Sequence, residues 1–422
     1  MNAVRSFRAA ATLALLGLMA TVTRAGMVSP CEDPTVLSGA RVQVFIFPYA
    51  SDTRLTAQGR ALATLMQRHV LFAALKYPSI GVAELTESTG RCNFEKVAER
   101  IRAQLGAGQT AIFLHGRVFE QGAHIYLKSS VSVAAEAGSR TTRWPLASSG
   151  QATITTATPA DVQAFGPRTI PLSFLERLES SQKQARRVHH EPNEQSRFVD
   201  LPANPSEKFT FLVLAARDDW MQIGVLSSGV EGWVPAHALA TSDQLKGEFP
   251  ELYFVDGLVG YYSQTPGAER LANVTRASLE RYLQATQSLP ESDPRAHAIL
   301  LMGNSRLRAA GSDLSTATLE SARKDYIRAV EASPTWTPAS SHLFASTALL
   351  CTRVTCGEEA RLLEAQYLEA IGGDPLSREL VGSLAAYYEA ASTGRLASGL
   401  TPADLAKKRA SVREALSGMP AQ

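Results

Sequence analysis

Three stretches, Tyr282–Pro290 (YLQATQSLP), Tyr326–Pro334 (YIRAVEASP) and Tyr367–Pro375 (YLEAIGGDP), share one spacing, Tyr-x2-Ala-x4-Pro. A degenerate fourth copy follows at Val412, Ala415 and Pro420. With 11 Tyr and 21 Pro in 422 residues, a chance copy of the spacing is expected about 0.1 times. Three copies therefore mean repetition. Residues three apart share a helix face, so the large ring packs into a neighbouring helix while the small Ala lets backbones approach. Proline cannot continue a helix and so ends each unit. The spacing thus predicts the second helix of a helix pair, repeated. First helices are expected at Leu252–Tyr262, Ala296–Leu307, Ala339–Leu350 and Leu380–Tyr388, each ahead of its Tyr-Ala-Pro segment.

This pattern resembles the tetratricopeptide repeat (TPR), and residues 248–420 are expected to form a TPR-like helical array. Met302-Gly303 and Val381-Gly382 stand where the first helix of that family has its small-residue crossing point. Successive prolines lie 44, 41 and 45 residues apart, against the family's 34, which predicts longer connections between helices. Cys351 and Cys356 fall in one of them. Residues five apart on a helix point about 140° away from each other, so a bond between these two predicts that the helix has ended in a disulfide-pinned turn.

Upstream of Gly247 the periodicity changes from helical to strand-like. Phe211, Val213 and Ala215, then Trp220–Val225 (WMQIGV), then Gly229–Pro235 (GVEGWVP) are short apolar alternations broken by Asp218-Asp219 and Ser227-Ser228-Gly229. Trp220 with Gly232-Trp233-Val234-Pro235 resembles bacterial SH3-like modules, which implies a small β-barrel over 207–242. Trp220 and Trp233 then either fill a tiny core or line a groove for a peptide or cell-wall ligand; both alternatives stand. The preceding segment, 171–206, is rich in charge and proline and reads as a solvated linker. Arg186, Arg187, His189 and His190 cluster within it, as a water-facing run or an anion site.

Residues 36–170 read strand, helix, strand, helix, hairpin: Arg41–Pro48, Leu55–Lys76, Ile80–Leu85, Phe94–Leu105, then Thr110–Phe119 joined to His124–Val133, with a further strand near Gln151–Thr156. An α/β sandwich is expected. This order, with Gly116-Arg117-Val118-Phe119 before the hairpin, resembles the amino-terminal domain of the periplasmic Tol-associated propeller proteins and related envelope lipoproteins. That resemblance implies protein contacts in the envelope.

Residues 1–25 carry Arg5 and Arg8, an apolar run Ala9–Val22 and the small-x-small triplet Thr23-Arg24-Ala25, the order of a cleaved secretory signal peptide. Export to the periplasm or the medium is the expectation, with no integral membrane span after processing. Losing Arg5, Arg8 and Arg24 takes the 42 basic residues to 39 against 40 acidic ones, which argues against a global grip on nucleic acid or anionic lipid. Four cysteines, Cys31, Cys92, Cys351 and Cys356, suit disulfides in an oxidising compartment. The pairs nearest in sequence are Cys31 with Cys92 and Cys351 with Cys356, although three connectivities exist and free thiols stay open. Zinc is not expected, because Cys-x4-Cys lacks a second ligand pair.

The expected fold class is therefore multidomain: α/β sandwich, SH3-like β-barrel, all-α repeat array. A repeat array leaves a continuous groove of first-helix side chains, so the functional expectation is a non-catalytic envelope adaptor or assembly protein, without cofactor, that binds protein or peptide partners. Two alternatives remain: a structural subunit of a secretion or surface machine, and a hydrolase using His115 with Ser51 and Asp52. No His-Glu-x2-His, Gly-x-Ser-x-Gly, Gly-x-Gly-x2-Gly or Gly-Lys-Ser/Thr signature supports the last.

Overall fold

In strand β1 (Val42–Ile46) every residue is buried, with Val42, Val44 and Ile46 in one core and Phe45 in another. Such a strand must be covered on both faces, and that requirement organises the amino-terminal half. The computed structural model describes residues 36–74, 77, 80–84, 94–135, 141–145, 153–157, 163–181, 186–201, 210–225, 228–236, 243–265, 267–288, 293–311, 314–353, 377–395 and 400–418. After β1 come β2 (Ala50–Ser51), α1 (Thr56–Ala74), β3 (Ile80–Glu84), α2 (Phe94–Gln104) and the long hairpin β4 (Thr110–Gln121) and β5 (His124–Ala135). β3 and β4 flank β1 in parallel, and β5 is antiparallel to β4. Helix α1 covers one face through Leu62, Leu65, Met66 and Val70. Helix α2 covers the other through Val97 and Ile101, with Leu105 just after its end, over Phe45, Phe47 and Phe113. The strand, helix, strand, helix, hairpin order is therefore present as expected.

Next come β6 (Thr141–Pro145) and β7 (Thr153–Ala157), paired only with each other among the described strands, then β8 (Gln163–Ala164) and β9 (Arg168–Ile170), which both return to β5. Helix α3 (Leu172–Ser181) packs on α1. The segment 171–206, expected as a linker, holds regular elements where it is described: after α3 come β10 (Arg186–His189) and β11 (Phe198–Leu201), an antiparallel pair. Each of these strands is four residues long and between them they bury the apolar side chains Val188 and Leu201. That is too few for the apolar alternation to stand out among the charges.

β12 (Thr210–Arg217), β13 (Trp220–Val225) and β14 (Val230–Pro235) form an antiparallel meander, and β10 joins its far edge at His189 and Trp233. β12 also pairs with β3, so the meander does not stand alone; it continues the α/β sheet into one twelve-stranded sheet, ordered β11-β10-β14-β13-β12-β3-β1-β4-β5-β8, with β2 on β4 and β9 on β5. Gly232 is required where β10 crosses β14, since a Cβ there would fall 2.4 Å from the His189 carbonyl oxygen.

The remaining chain is helical: α4 (Asp243–Glu248), α5 (Glu251–Ser263), α6 (Glu269–Ala285), α7 (Asp293–Ala310), α8 (Thr316–Ala332), α9 (Thr337–Cys351), α10 (Ser377–Ser392) and α11 (Pro402–Gly418). Successive helices pack as pairs, α5 with α6, α7 with α8, and α10 with α11, and α6 and α8 bridge to the following pair. Each first helix expected from the sequence is present. Its inner side is not open, however. α5 packs on α1 and β1, α7 on β8, and α9 and α10 on β7. One continuous core therefore runs from Val42 to Val412. No helix among the described residues is long and apolar enough to cross a membrane.

Candidate functional site

Residues directly opposite one another in an antiparallel sheet share a face. The registers Phe198 to His189, His189 to Trp233 and Trp233 to Gln222 therefore align four side chains in one rung across β11, β10, β14 and β13. Trp220, two residues from Gln222, shares that face. The opposite face carries Met221, Ile223, Val225, Val234 and Phe211, all in the main core. Trp220 and Trp233 are consequently neither sealed core nor free surface; both are half-buried. The His189 ring is buried between Phe198, at 5.6 Å, and Trp220, at 5.2 Å. Its Nδ1 has no hydrogen-bond partner among the described residues.

Arg187 extends the strip, its guanidinium 4.4 Å from the Phe198 ring centre and its Nε 3.3 Å from Asp200 Oδ1. Asp200 thus already answers the charge of Arg187, and His189 is buried while His190 is exposed, so the basic cluster noted in the sequence does not act as one unit. Leu214 lies over Gly224 on the same face, and Phe198 and Leu214 are each 43% exposed. The result is a strip of Arg187, Phe198, His189, Trp233, Trp220 and Leu214. Its Phe198 and Leu214 lay outside the sequence-level candidates; the alternation Arg187-Val188-His189 was the available signal, hidden because each strand is so short.

The repeat positions divide. Tyr282 and Tyr326 are buried, as the spacing required. Tyr282 meets Phe254 of α5 and Phe165, with ring centres 5.2 and 5.9 Å away. Tyr326 lies over Gly303 of α7, where an added Cβ would sit 2.6 Å from Cε1. The crossing point proposed at Met302-Gly303 is thus a close helix contact, whereas a Cβ on Gly382 would meet nothing within 4 Å among the described residues. Ala329 is buried, but Ala285 is exposed, so the small-residue role holds in one copy and not the other. Val412 is buried in α11. Tyr367 and Ala370 lie outside the described residues, as do Cys31, Cys92, Cys356 and the segment 1–25. Cys351 ends α9 and is disulfide-bonded.

A hydrogen-bonded chain crosses the array's interior. Tyr326 Oη donates to Asn304 Oδ1 at 2.6 Å, and Asn304 Nδ2 lies 3.3 Å from His342 Nε2. His342 Nδ1 lies 2.8 Å from the Pro338 carbonyl. A carbonyl only accepts, so Nδ1 carries the proton and Nε2 accepts from Asn304. Burial holds His342 down at about 4, which keeps the ring neutral as this chain requires. Burial likewise lowers His297, between Phe254 and Trp336, to about 3.

A second polar group ties the array to the sheet. Glu251, the first residue of α5, accepts from Arg168 Nε at 3.2 Å and Nη2 at 2.9 Å. Ser129 Oγ, itself 3.2 Å from Tyr49 Oη, lies 3.4 Å from Glu251 Oε1. On α1, His69 Nε2 reaches both Asp256 Oδ1 (2.8 Å) and the Leu252 carbonyl (3.0 Å) of α5.

The hydrolase candidates do not converge. Ser51 is in register with Val118 and so shares its face, the α1 side of the sheet. His115 is one residue from Leu114 of that core and meets Phe47 edge-on, on the α2 side. Burial lowers His115 to about 4. Asp52 is exposed.

No protein-family model matches this chain, and neither a curated protein nor a solved structure matches it.

Proposed function

We propose that this chain is an exported, non-catalytic adaptor or assembly protein of the bacterial envelope that binds protein or peptide partners. In this reading residues 1–25 direct export, the strands β12–β14 within 207–242 are an SH3-like module built into the sheet, and α5–α11 are a TPR-like array. The observation that carries it is the strip around Trp220 and Trp233. Monomeric surfaces rarely keep several apolar side chains together in water, and a contiguous patch of them is a mark of an interaction site. Aromatic rings with an arginine stacked among them are also the side chains that dominate binding energy at interfaces.

The test is site-specific photocrosslinking from Phe198 and Trp233 of the full chain expressed in a Gram-negative periplasm, with mass spectrometry of the adducts. The expected result is one or a few discrete proteins, lost on Trp220→Ala. Adducts absent at both positions, from a protein shown to be exported and folded, would remove the basis for the adaptor role.

A further inference from the structure

The β6–β7 hairpin is set between two strands that neighbour each other in the main sheet. The chain leaves β5 at Ala135, forms the hairpin, and returns at Gln163 to pair with β5 again. The sheet does not need the excursion. A lone two-stranded hairpin is marginal in water, and this one is held by the array, β7 lying on α9 and α10. Thr156 and Ala157 are buried, as are all 15 residues of α9. The contact is polar and directed as well as apolar. The Ala157 N–H donates to Ser341 Oγ at 3.0 Å, while the Ser341 hydroxyl donates to the Pro338 carbonyl at 3.0 Å. Ser341 therefore holds a strand's main chain much as another strand would, and Ala345, one turn further along the same face of α9, is small enough to let a strand come close. The strand so held, Thr153–Ala157 (TITTA), carries no charge.

We propose that the β6–β7 hairpin is a tethered ligand that occupies the inner face of α9 and α10, the surface by which the array takes an uncharged, Thr- and Ala-rich extended segment of a partner protein. The proposal rests on the array being a docking surface. The hairpin competes at the high effective concentration of a tethered group, and the partner binds only to the fraction of molecules whose hairpin has left. The hairpin thereby keeps the array shut until a partner of sufficient affinity arrives.

The probe is a fluorescein-labelled peptide with the sequence of residues 151–159 (QATITTATP), read by anisotropy. It is titrated into the full chain and into a variant in which 137–161 is replaced by a Gly/Ser link of about six residues, enough for the roughly 14 Å between strand ends. The shortened variant should bind saturably and at least tenfold more tightly than the full chain, and Ser341→Val in it should abolish uptake. Should the shortened variant fail to fold, the full chain carrying Ala157→Cys with Ser341→Cys gives the same reading: uptake when reduced, none when oxidised. Equal uptake by oxidised and reduced chains, or by full and shortened chains, overturns the gating role while leaving the array a binding surface. Folded chains that take up no peptide in any form overturn the proposal together with the array's docking role. The crosslinks from Trp233 report on the aromatic strip independently of either outcome.

Discussion

Gly303 sets two effects against each other at a single residue. Replacing it with Ala in a helix interior gains about 1 kcal/mol of helix propensity, but the new methyl must displace the Tyr326 ring, 2.6 Å away. Overpacking of this kind costs about 1–3 kcal/mol, and Tyr326 is fully buried and fixed by Asn304, so the clash should win. Gly303→Ala is expected to lower stability by about 1–2 kcal/mol in urea, and a double-mutant cycle with Tyr326→Leu should recover most of it. Arg168 and Glu251 supply a second residue-level test. Removing one member of a buried, hydrogen-bonded ion pair costs about 3–5 kcal/mol, whereas replacing both by apolar residues of similar size is close to neutral. Glu251→Leu should therefore destabilise strongly, and adding Arg168→Met should restore much of the loss. Equal losses in the single and double variants would show that the pair does not act as a unit.

Among the elements, the β10–β14 strands separate binding from folding. Their inner face is core and their outer face is the aromatic strip, so Trp233→Ala should leave the urea midpoint nearly unchanged and weaken capture of a crosslinked partner by about 30-fold, the effect of losing a hot-spot ring. Met221→Ala, on the other face and buried, should do the reverse, costing about 2–5 kcal/mol of stability. Periodicity revealed the strands whose apolar residues are many, such as β4 and β5, and missed β10 and β11, whose inward residues are too few to form a pattern. Tyr282 and Tyr326 could be placed from spacing because a helix repeats every 3.6 residues wherever it packs. Phe198 could not, since its place in the strip depends on β11 finding β10.

Across the whole molecule, the continuous core makes the α/β sheet and the helical array one cooperative unit. Far-ultraviolet circular dichroism and tryptophan fluorescence should report a single coincident unfolding transition, and two separated transitions would show that sheet and array are independent. The same core makes the protein acid-sensitive. His297 and His342 are held well below the ordinary histidine value of about 6.5, so the unfolded chain binds protons that the folded chain refuses. Their contribution is present above pH 6.5 and lost as pH falls toward 4 and 3. By pH 4.5 each buried ring should have cost about 2–3 kcal/mol relative to pH 7.5. His297→Leu is expected to flatten that slope in urea titrations at the two pH values, and an unchanged slope would show that the ring does not contribute.

Local chemistry in the sequence was enough to determine the helix pairs, the α/β order and the buried tyrosines, because a helix or strand buries one face at its own period whatever it packs against. What covers those faces is a long-range matter. The continuation of the sheet through β3 and β12, the structured segment once expected as a linker, the exposure of Ala285 beside the burial of Ala329, and the hairpin lying on α9 were all decided by tertiary structure. Each depends on which distant surface excludes water from a given side chain, and no spacing within a single segment carries that information.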